Sequence, residues 1–273
     1  MLSRLLLIVT LPLWGQPAFE VASIKVAAPS DHTYATQKGG PGTDSPGQWT
    51  VVNASVPYLV NLGWELNRFQ LSGPFPNDSA RFDIVAKVPP DTSKHDFHRM
   101  IQRLLTERIA LVLHHETRQQ DVYEMTVAKG GPKLKTAEPA AADPTTKSVF
   151  SFDKNGNPQL TPGVPAGIQP MNSRGVMHLL GRMQNSAQIA LNFQSPGAAE
   201  RPVIDKTGLS GLYDYDVTYT LDRPGGAASG EASNPLPFFP EAVERELGLK
   251  LEAKKAPWDV VVIDRFNPAP IEN

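Results

Sequence analysis

The chain contains no cysteine, and this absence removes several classes of chemistry at once. Disulfides, thiolate nucleophiles and thiolate zinc sites all need cysteine, so the fold must depend on its hydrophobic core. Net charge is also small: 26 basic against 28 acidic residues leave −2, which disfavours nucleic acid or anionic lipid as a partner. No stretch reaches the about 20 apolar residues that span a bilayer, so no transmembrane span is expected.

The N-terminus has the pattern of an export signal. Met1-Leu2-Ser3-Arg4 supplies a short positive head, and an apolar core of ten residues, Leu5 to Trp14, follows it. That core is too short to cross a bilayer, and Pro12 interrupts it. Residues 1–18 are therefore predicted to be a signal peptide, with a buried N-terminal strand or an uncleaved anchor as the alternative. The predicted location is periplasmic or extracellular.

What the chain does contain is an internal resemblance between its two halves. Asn53-Ala54-Ser55 recurs as Asn185-Ser186-Ala187, a displacement of about 132 positions. Each of these two segments is followed, in the same order, by a strand pattern and then by a run that changes from helix to strand. The predicted organisation is a first copy at 19–129, a linker at 130–147 rich in Pro, Ala, Thr and Lys, and a second copy at 148–273.

Each copy is predicted to run strand, helix, strand, strand, helix, strand, strand. This order predicts an α+β fold of two related βαββαββ-type units, each with a mixed sheet and its helices on one face. Ile109–Thr117 and Asp121–Ala128 are predicted to pair as a hairpin, and Leu249–Ala253 and Trp258–Asp264 to be separate strands.

The two helices of the first copy carry clear local signals. Ser55 is a natural N-cap, followed by Pro57 in the tolerated first turn. Ser93 and Asp96 form a pattern like a capping box. The residues predicted to face the core are Val56, Leu59, Val60 and Gly63 in the first helix, and Phe97, Met100, Ile101, Leu104 and Leu105 in the second.

Two resemblances follow from longer stretches. The run from Arg201 to Gly211, with the helix and strands after it, resembles the small N-terminal domain of secretins and TonB-dependent receptors. Most of the chain is similar to a family of uncharacterised exported proteins of soil-associated bacteria, a domain also found at the end of BlaR-type sensor peptidases. The segments that carry this second resemblance are Phe19 to Lys25, Arg81 to Ile84, Leu105 to Arg108, Ala128 to Leu134, Asp205 to Leu209 and Leu247 to Leu251. It implies no established reaction.

Histidines are the first candidates for a metal site. His95 and His98 lie three apart on a predicted helix and could chelate a divalent ion if a carboxylate such as Asp96 or Glu116 joined them. A polar, solvated helix face is favoured instead, because zinc sites need three or four ligands. His114 and His115 are adjacent on a strand and point to opposite faces. They cannot form one chelating pair without a bulge. No metal site is therefore assigned, and His95 and His98 stay weak candidates.

No complete catalytic set or cofactor motif is present. The sequence has no G-x-S-x-G elbow, no HExxH motif and no P-loop lysine after Gly39-Gly40-Pro41-Gly42. Asp214 with Asp216, and Glu244 with Glu246, match glycosidase carboxylates only by residue type, and a solvated surface is favoured for them. Gly208 is predicted to have a positive φ in a turn.

The leading functional hypothesis is an exported, non-enzymatic binding protein of the cell envelope that recognises an envelope protein, a peptide or a cell-wall ligand. Two strands are candidate sheet edges for peptide addition, Phe19 to Lys25 and Trp258 to Asp264. The alternative is an extracytoplasmic metal-dependent or other hydrolase with a site between the copies that uses His95, His98, His114 or His115. A sensory domain without its membrane peptidase is a third interpretation.

Overall fold

The computed structural model describes residues 17–29, 34–73, 80–137, 150–154, 156, 158–161, 166–173, 176–221 and 236–271. Nearly all of the predicted signal peptide, residues 1–16, lies outside these described ranges. So does the part of the predicted linker from 138 to 147.

The described part of the chain contains fourteen strands and four α-helices. The strands are β1 (Val21–Val26), β2 (Thr36–Gly39), β3 (Gln48–Ser55), β4 (Leu71–Ser72), β5 (Arg81–Lys87), β6 (Val112–Val127), β7 (Lys135–Thr136), β8 (Phe150–Phe152), β9 (Pro158–Leu160), β10 (Gly167–Ser173), β11 (Val176–Gln184), β12 (Val203–Asp205), β13 (Tyr213–Thr220) and β14 (Leu249–Arg265). The helices are α1 (Val56–Gly63), α2 (Lys94–Arg108), α3 (Ser186–Asn192) and α4 (Phe239–Ala242), and a π-helical turn, Val243–Leu247, continues α4. The α+β class is confirmed.

The chain forms two compact units. Unit 1 consists of Met1–Leu66, Leu71–His115 and Val261–Asn273, and unit 2 consists of Asn67–Gln70 and Glu116–Val260. These bounds differ from the predicted copies at 19–129 and 148–273, because the units divide inside β6 and inside β14. The copies are defined by sequence resemblance and the units by spatial contact, so the duplication itself stays a prediction.

Unit 1 is built on a four-stranded antiparallel sheet in the order β1-β5-β3-β2. One face of this sheet and the apolar faces of α1 and α2 form a single core, and all nine predicted inward positions of the two helices are buried. Both predicted caps are confirmed: the Ser55 hydroxyl accepts the N–H of Tyr58, and the Ser93 hydroxyl accepts the N–H of Asp96. Alternation and helical periodicity therefore predicted this core correctly.

Three aromatic rings hold the start of β1 against α2. Phe19 stacks on Trp49 with ring centroids 5.7 Å apart, and Phe97 meets Trp49 edge-on at 5.4 Å. Phe97 also meets Phe19 edge-on at 5.9 Å. Because the Trp49 side chain is completely buried, Phe19 is anchored just before the first residue of β1.

Unit 2 contains a second four-stranded antiparallel sheet, in the order β10-β11-β13-β7. Its core joins Tyr215, Val217 and Tyr219 of β13 to the buried sides of α3 and α4. The π-helical turn ends at Gly248, whose φ of 63° is left-handed. A side chain there would collide with the backbone, since an added Cβ would stand 2.2 Å from the oxygen of Gly131.

Two predicted strand pairs are single long strands. The hairpin predicted from Ile109–Thr117 and Asp121–Ala128 is wrong, because β6 continues without a break from Val112 to Val127. The segment between the two predicted strands has no Gly, Pro or Asn to turn the chain. Likewise Leu249–Ala253 and Trp258–Asp264 are parts of one strand, β14. The third sheet has the order β12-β6-β14-β4.

Units 1 and 2 each contain a β-bulge just before a helix. In unit 1 the pairing of β3 with β5 shifts between Val51 and Ala54, so two residues face Asp83. The pairing of β11 with β13 in unit 2 shifts in the same way between Gly181 and Gln184. The bulged residues Asn53 and Met183 have φ values of 59° and 52°. These two bulged residues are separated by 130 positions in the sequence.

Candidate functional site

β1 is an edge strand of the unit 1 sheet: among the described residues, no strand pairs with its outer side. On its inner side β1 pairs with β5, and Ala27 donates its N–H to the Arg81 oxygen over 2.8 Å. In an antiparallel ladder, every second residue directs its backbone N–H and C=O groups toward the neighbouring strand. Counted from Ala27, every second residue of β1 therefore bonds to β5. The N–H and C=O groups of Ile24 and Val26 therefore face the open side. We call this side, from Val21 to Val26, the β1 edge.

A groove lies between the start of the β1 edge and helix α2. It has a volume of about 380 Å³, and we call it the α2 groove. Met100 and Leu104 supply its apolar lining, whereas Arg103, Glu107 and Arg108 supply its polar lining. The helix is held in place by its buried face, to which Met100 and Leu104 belong, so this wall of the groove is part of a rigid element.

A second groove of about 650 Å³ lies along the rest of the β1 edge. Its far wall is Ala269–Ile271, so we call it the tail groove. That segment is tied to the end of α2: Asn267 donates its N–H to the Ile109 oxygen over 2.6 Å, and Ile271 donates to the Arg108 oxygen over 2.8 Å. Arg108 lines both grooves, and its guanidinium donates to the Ile271 oxygen over 3.5 Å.

The other strands that end a sheet in the described part of the chain are shorter than β1 or contain proline. Strands β2, β4, β7 and β12 have four residues or fewer. The seven-residue edge strand β10 contains Pro170, which cannot donate a backbone hydrogen bond. Beyond its short pairing with β7, β13 is capped by the Glu246 carboxylate, which accepts the Thr218 N–H over 2.9 Å. Among the described strands that end a sheet, β1 is the longest that lacks proline.

Of the two predicted edges, only the first is an edge in the structure. Phe19 to Lys25 coincides with the start of β1, which ends its sheet. The segment Trp258–Asp264 is not an edge, because β6 flanks β14 on one side and β4 pairs with Val261 and Val262 on the other. The prediction failed because β4, only two residues long, has too little sequence to be recognised as a partner strand.

The candidate metal ligands have separate carboxylate neighbours. Nδ1 of His95 is 3.7 Å from Asp96, and Nδ1 of His98 is 3.1 Å from Glu65. His114 lies 2.9 Å from Asp264. Within the described ranges no group of three or more His, Asp or Glu residues could hold a metal ion. His115 is exposed on β6, and Glu116 pairs with Arg118. The prediction that no metal site is formed, with His95 and His98 as weak candidates, stays untested.

The acidic residues of β13 have two different environments. The Asp214 carboxylate is half-buried, 3.0 Å from the Arg182 guanidinium, and it accepts the Met183 N–H over 2.8 Å. Asp216 lies beyond it on the same strand, where burial and then repulsion from Glu246 raise the pKa of its carboxyl to about 6. Asp214 is thus a structural residue, and a solvated strand face does not describe it.

A buried polar network lies behind this strand. The Asn192 amide donates to Gln184 over 2.9 Å and to the Tyr215 hydroxyl over 3.1 Å. Burial raises the pKa of Tyr215 far above its usual range, so the hydroxyl stays protonated. The Tyr215 ring covers Gly181, where an added Cβ would stand 2.1 Å from the ring. Gln184 and the Tyr215 hydroxyl both accept from the Asn192 amide, so the three side chains satisfy one another's hydrogen bonds, which is the pattern of a structural network.

Sequence reasoning missed Arg108 and the Arg182–Asp214 pair. Arg108 was visible only as the last residue before a strand, and nothing in the sequence places it beside β1. Arg182 and Asp214 are 32 positions apart, a spacing with no local periodicity. The turn at Gly208 is confirmed with a φ of 67°, and Asp205 accepts the Thr207 N–H within it.

An α+β protein with an open sheet edge is the class that these features define. The chain belongs to the family described as protein of unknown function DUF3738, whose family model matches residues 57–266. No curated protein and no solved structure gives a significant match. Within the part of the chain that the structure describes, no helix is both long and apolar enough to cross a membrane.

Proposed function

We propose that this protein binds an extended peptide segment of an envelope protein by adding it as a strand to the β1 edge. The observation that carries the proposal is the position of the two grooves along one edge strand, in which Ile24 and Val26 direct their N–H and C=O groups away from β5. Backbone hydrogen bonds to Ile24 and Val26 supply affinity that does not depend on sequence, and pockets for alternate side chains supply selectivity.

Side chains of the added strand alternate between the two faces of the sheet. Those on the helix side enter the α2 groove and the tail groove, where Leu104 and Ile271 offer apolar contact. On the other face they extend an exposed apolar surface, in which Val21 is 64% exposed and Val85 is 49% exposed. An added strand covers part of the groove lining and part of this exposed surface. Burial of apolar surface contributes roughly 25 cal/mol per Å² to the binding free energy.

One feature supports an extracytoplasmic location within this proposal: the segment from Met1 to Trp14 has the arrangement of a signal peptide. We also propose that units 1 and 2 descend from one duplicated unit. The shared bulge supports this, since Ser55 and Asn185, 130 positions apart, cap the helix that follows each bulge.

The test is selection of a random dodecapeptide display library on the purified full chain, followed by fluorescence anisotropy with the selected peptides. The decisive variants are Val26→Pro and Val26→Ala. Both remove the exposed valine side chain, but only proline removes the outward N–H. We expect Val26→Pro to weaken binding about tenfold relative to Val26→Ala, because a hydrogen bond of ~0.5–1.5 kcal/mol is lost and the ring obstructs the incoming strand.

Thermal melting followed by circular dichroism controls for folding, and the two variants should melt within a few degrees of each other. Equal peptide affinity in Val26→Pro and Val26→Ala would show that the β1 edge is not used. A library that yields no binder would contradict peptide recognition altogether.

A further inference from the structure

The sheet of unit 1 has helices on one face only. Ile24 and Ile84 point into the core that α1 and α2 complete, so the residues before and after them point to the opposite face. On that opposite face Val21 of β1, Val85 of β5 and Val52 of β3 are between 44% and 64% exposed. We call this side of the sheet, away from α1 and α2, the valine face.

The three valines form one continuous row across the strands. Val21 is opposite Lys87, and Val85 is opposite Thr50, so each valine is the diagonal neighbour of the next. Diagonal neighbours in a sheet are about 7–8 Å apart, which makes the row from Val21 to Val52 roughly 15 Å long. A concavity of about 610 Å³, which Val21 and Val85 help to line, lies over one end of this row.

Lysines border the row of valines on both sides. Lys25 lies on the valine face of β1, four positions after Val21. Lys38 lies on the other side of the row, because it is opposite Thr50 in the pairing of β2 with β3. Among the described residues, no carboxylate lies within ion-pair distance of Lys25 or Lys38.

The carboxylates nearest to the row are already engaged. Glu20 lies 2.6 Å from the ammonium group of Lys87, so these two charges neutralise each other. Asp83 accepts the N–H of Asn53 over 2.8 Å, as part of the bulge. The valine face therefore has an apolar centre and an excess of positive charge at its borders.

The interior strands of this face offer a partner side chains but no backbone groups. β5 is paired with β1 and β3, and β3 is paired with β5 and β2, so their N–H and C=O groups are used within the sheet. A segment that packs on them must satisfy its own backbone, and an α-helix does so internally. Three turns of helix span about 16 Å, which matches the length of the row.

The corresponding face of the unit 2 sheet is covered by the chain itself. Leu179 of β11 points into the core with α3 and α4, so its neighbour Leu180 lies on the other face. Leu180 is completely buried there, and β9 lies against β11. One unit thus buries the apolar centre of this face, whereas the other exposes it.

We infer that the valine face binds an amphipathic α-helix of a partner protein, in which carboxylates border the apolar stripe. The apolar stripe covers the row of valines, and the carboxylates meet Lys25 and Lys38 on its two sides. This surface goes beyond strand addition at the β1 edge, because binding to it uses no backbone group of β1.

The probes are three synthetic helical peptides of about 18 residues, or five turns. All three have the same leucine stripe, and the residues that border the stripe are Glu in the first, Gln in the second and Lys in the third. Each dye-labelled peptide is titrated with the full chain and its variants, and fluorescence anisotropy measures the affinity.

Two pairs of variants test the apolar centre and the charged borders separately. Val85→Gln makes the centre polar, and its control is Val112→Gln, which changes an exposed valine of β6. The double variant Lys25→Gln/Lys38→Gln removes the bordering cations. Its control, Lys94→Gln/Lys129→Gln, removes two exposed lysines from other parts of the chain.

We expect the Glu peptide to bind the wild type about tenfold more tightly than the Gln peptide, and the Lys peptide to bind most weakly. Val85→Gln should weaken binding of the Glu peptide about tenfold, since less apolar surface is buried, and Val112→Gln should not. Lys25→Gln/Lys38→Gln should abolish the preference for Glu over Gln, which the control variant should keep.

Equal affinities for the three peptides, or equal losses in Val85→Gln and Val112→Gln, would overturn the inference. Val26→Pro should leave binding of the Glu peptide unchanged, and a loss there would mean that the peptide binds as a strand instead. Circular dichroism of every variant confirms that a loss of affinity is not a loss of folding.

Two further measurements test other occupants of the valine face. Sedimentation velocity tests a second copy of the chain, and a dimer that Val85→Gln dissociates would overturn the inference. Vesicles that contain phosphatidylglycerol test a lipid surface. Vesicle binding that Val85→Gln abolishes, together with no binding of the Glu peptide, would assign the face to a membrane.

Discussion

In unit 1 the bulge before α1 is held by Asp83, and in unit 2 the bulge before α3 is held by Asp214, but the charged partners of the two carboxylates differ. Each carboxylate accepts the N–H of the bulged residue over 2.8 Å. Arg182 pairs directly with Asp214, whereas Arg81 donates to the Asn53 oxygen over 3.1 Å instead. An ion pair therefore stabilises the bulge in unit 2, whereas separate hydrogen bonds stabilise the bulge in unit 1.

The edges of the two sheets differ as well. Unit 2 has Pro170 in its long edge strand and Glu246 on the exposed part of β13, and unit 1 leaves the β1 edge open between two grooves. Unprotected edges invite association, so natural proteins usually obstruct them. The proposed peptide binding therefore belongs to unit 1, whose edge strand β1 lacks proline.

The largest expected effect comes from breaking the ion pair of unit 2. Asp214→Ala removes the carboxylate that pairs with the buried Arg182 guanidinium and should lower the free energy of unfolding by about 3–5 kcal/mol. Asp83→Ala leaves one N–H without an acceptor and should cost about 1–2 kcal/mol. Urea unfolding followed by circular dichroism measures both. Equal losses would mean that Arg182 and Asp214 add nothing beyond the shared hydrogen bond.

A smaller effect depends on pH and belongs to unit 2 alone. The pKa of Asp216 is about 6 in the folded state against an ordinary 3.8, so the folded state binds this proton more tightly. Stability from this group is therefore present below about pH 4 and is lost as pH rises through 6. Asp216 keeps an exposed side, so solvent screening moderates the change.

Urea midpoints at several pH values between 4 and 7 test this for the wild type, Asp216→Asn and Glu246→Gln. Asp216→Asn should remove this part of the pH dependence. Glu246→Gln should move it to lower pH, because it removes the neighbouring negative charge that raises the pKa of Asp216. A profile identical in all three proteins would contradict the assignment.

The smallest effect distinguishes the two bulged residues. Met183 and Asn53 both have positive φ, but asparagine tolerates this conformation better than methionine does. We expect Met183→Gly to be more favourable than Asn53→Gly by about 1 kcal/mol in the free energy of unfolding. Thermal unfolding of the two variants in parallel provides the comparison. The reverse order would show that side-chain contacts outweigh backbone strain at these positions.

Local signals in the sequence predicted the parts of the fold that depend on neighbouring residues. The N-caps Ser55 and Ser93, the buried face of α2 and the left-handed Gly208 all follow from short-range geometry, and the structure confirms them. The open edge at Phe19 to Lys25 was also predicted, because an alternating strand at the start of a sheet often lacks a second partner.

Predictions that depended on distant residues fared differently. The continuous strand β6 was divided into a hairpin, since the polar run from Thr117 to Gln120 resembles a loop when its neighbouring strands are unknown. Trp258–Asp264 was taken for an edge because its partner β4 spans only Leu71 and Ser72. Strand pairing is set by hydrogen bonds between segments far apart in sequence, which local patterns do not encode.

By itself the sequence determined the α+β class, the helix faces and caps, and the absence of thiol chemistry, because these depend on composition and on contacts within a few residues. Only the tertiary structure decided which strand is left open and which charges surround it. Arg108 lines two grooves because the end of α2 lies beside both β1 and the segment Ala269–Ile271. That segment comes more than 160 positions after Arg108 in the chain. Such a site exists only once the chain has folded, since packing rather than sequence proximity brings its parts together.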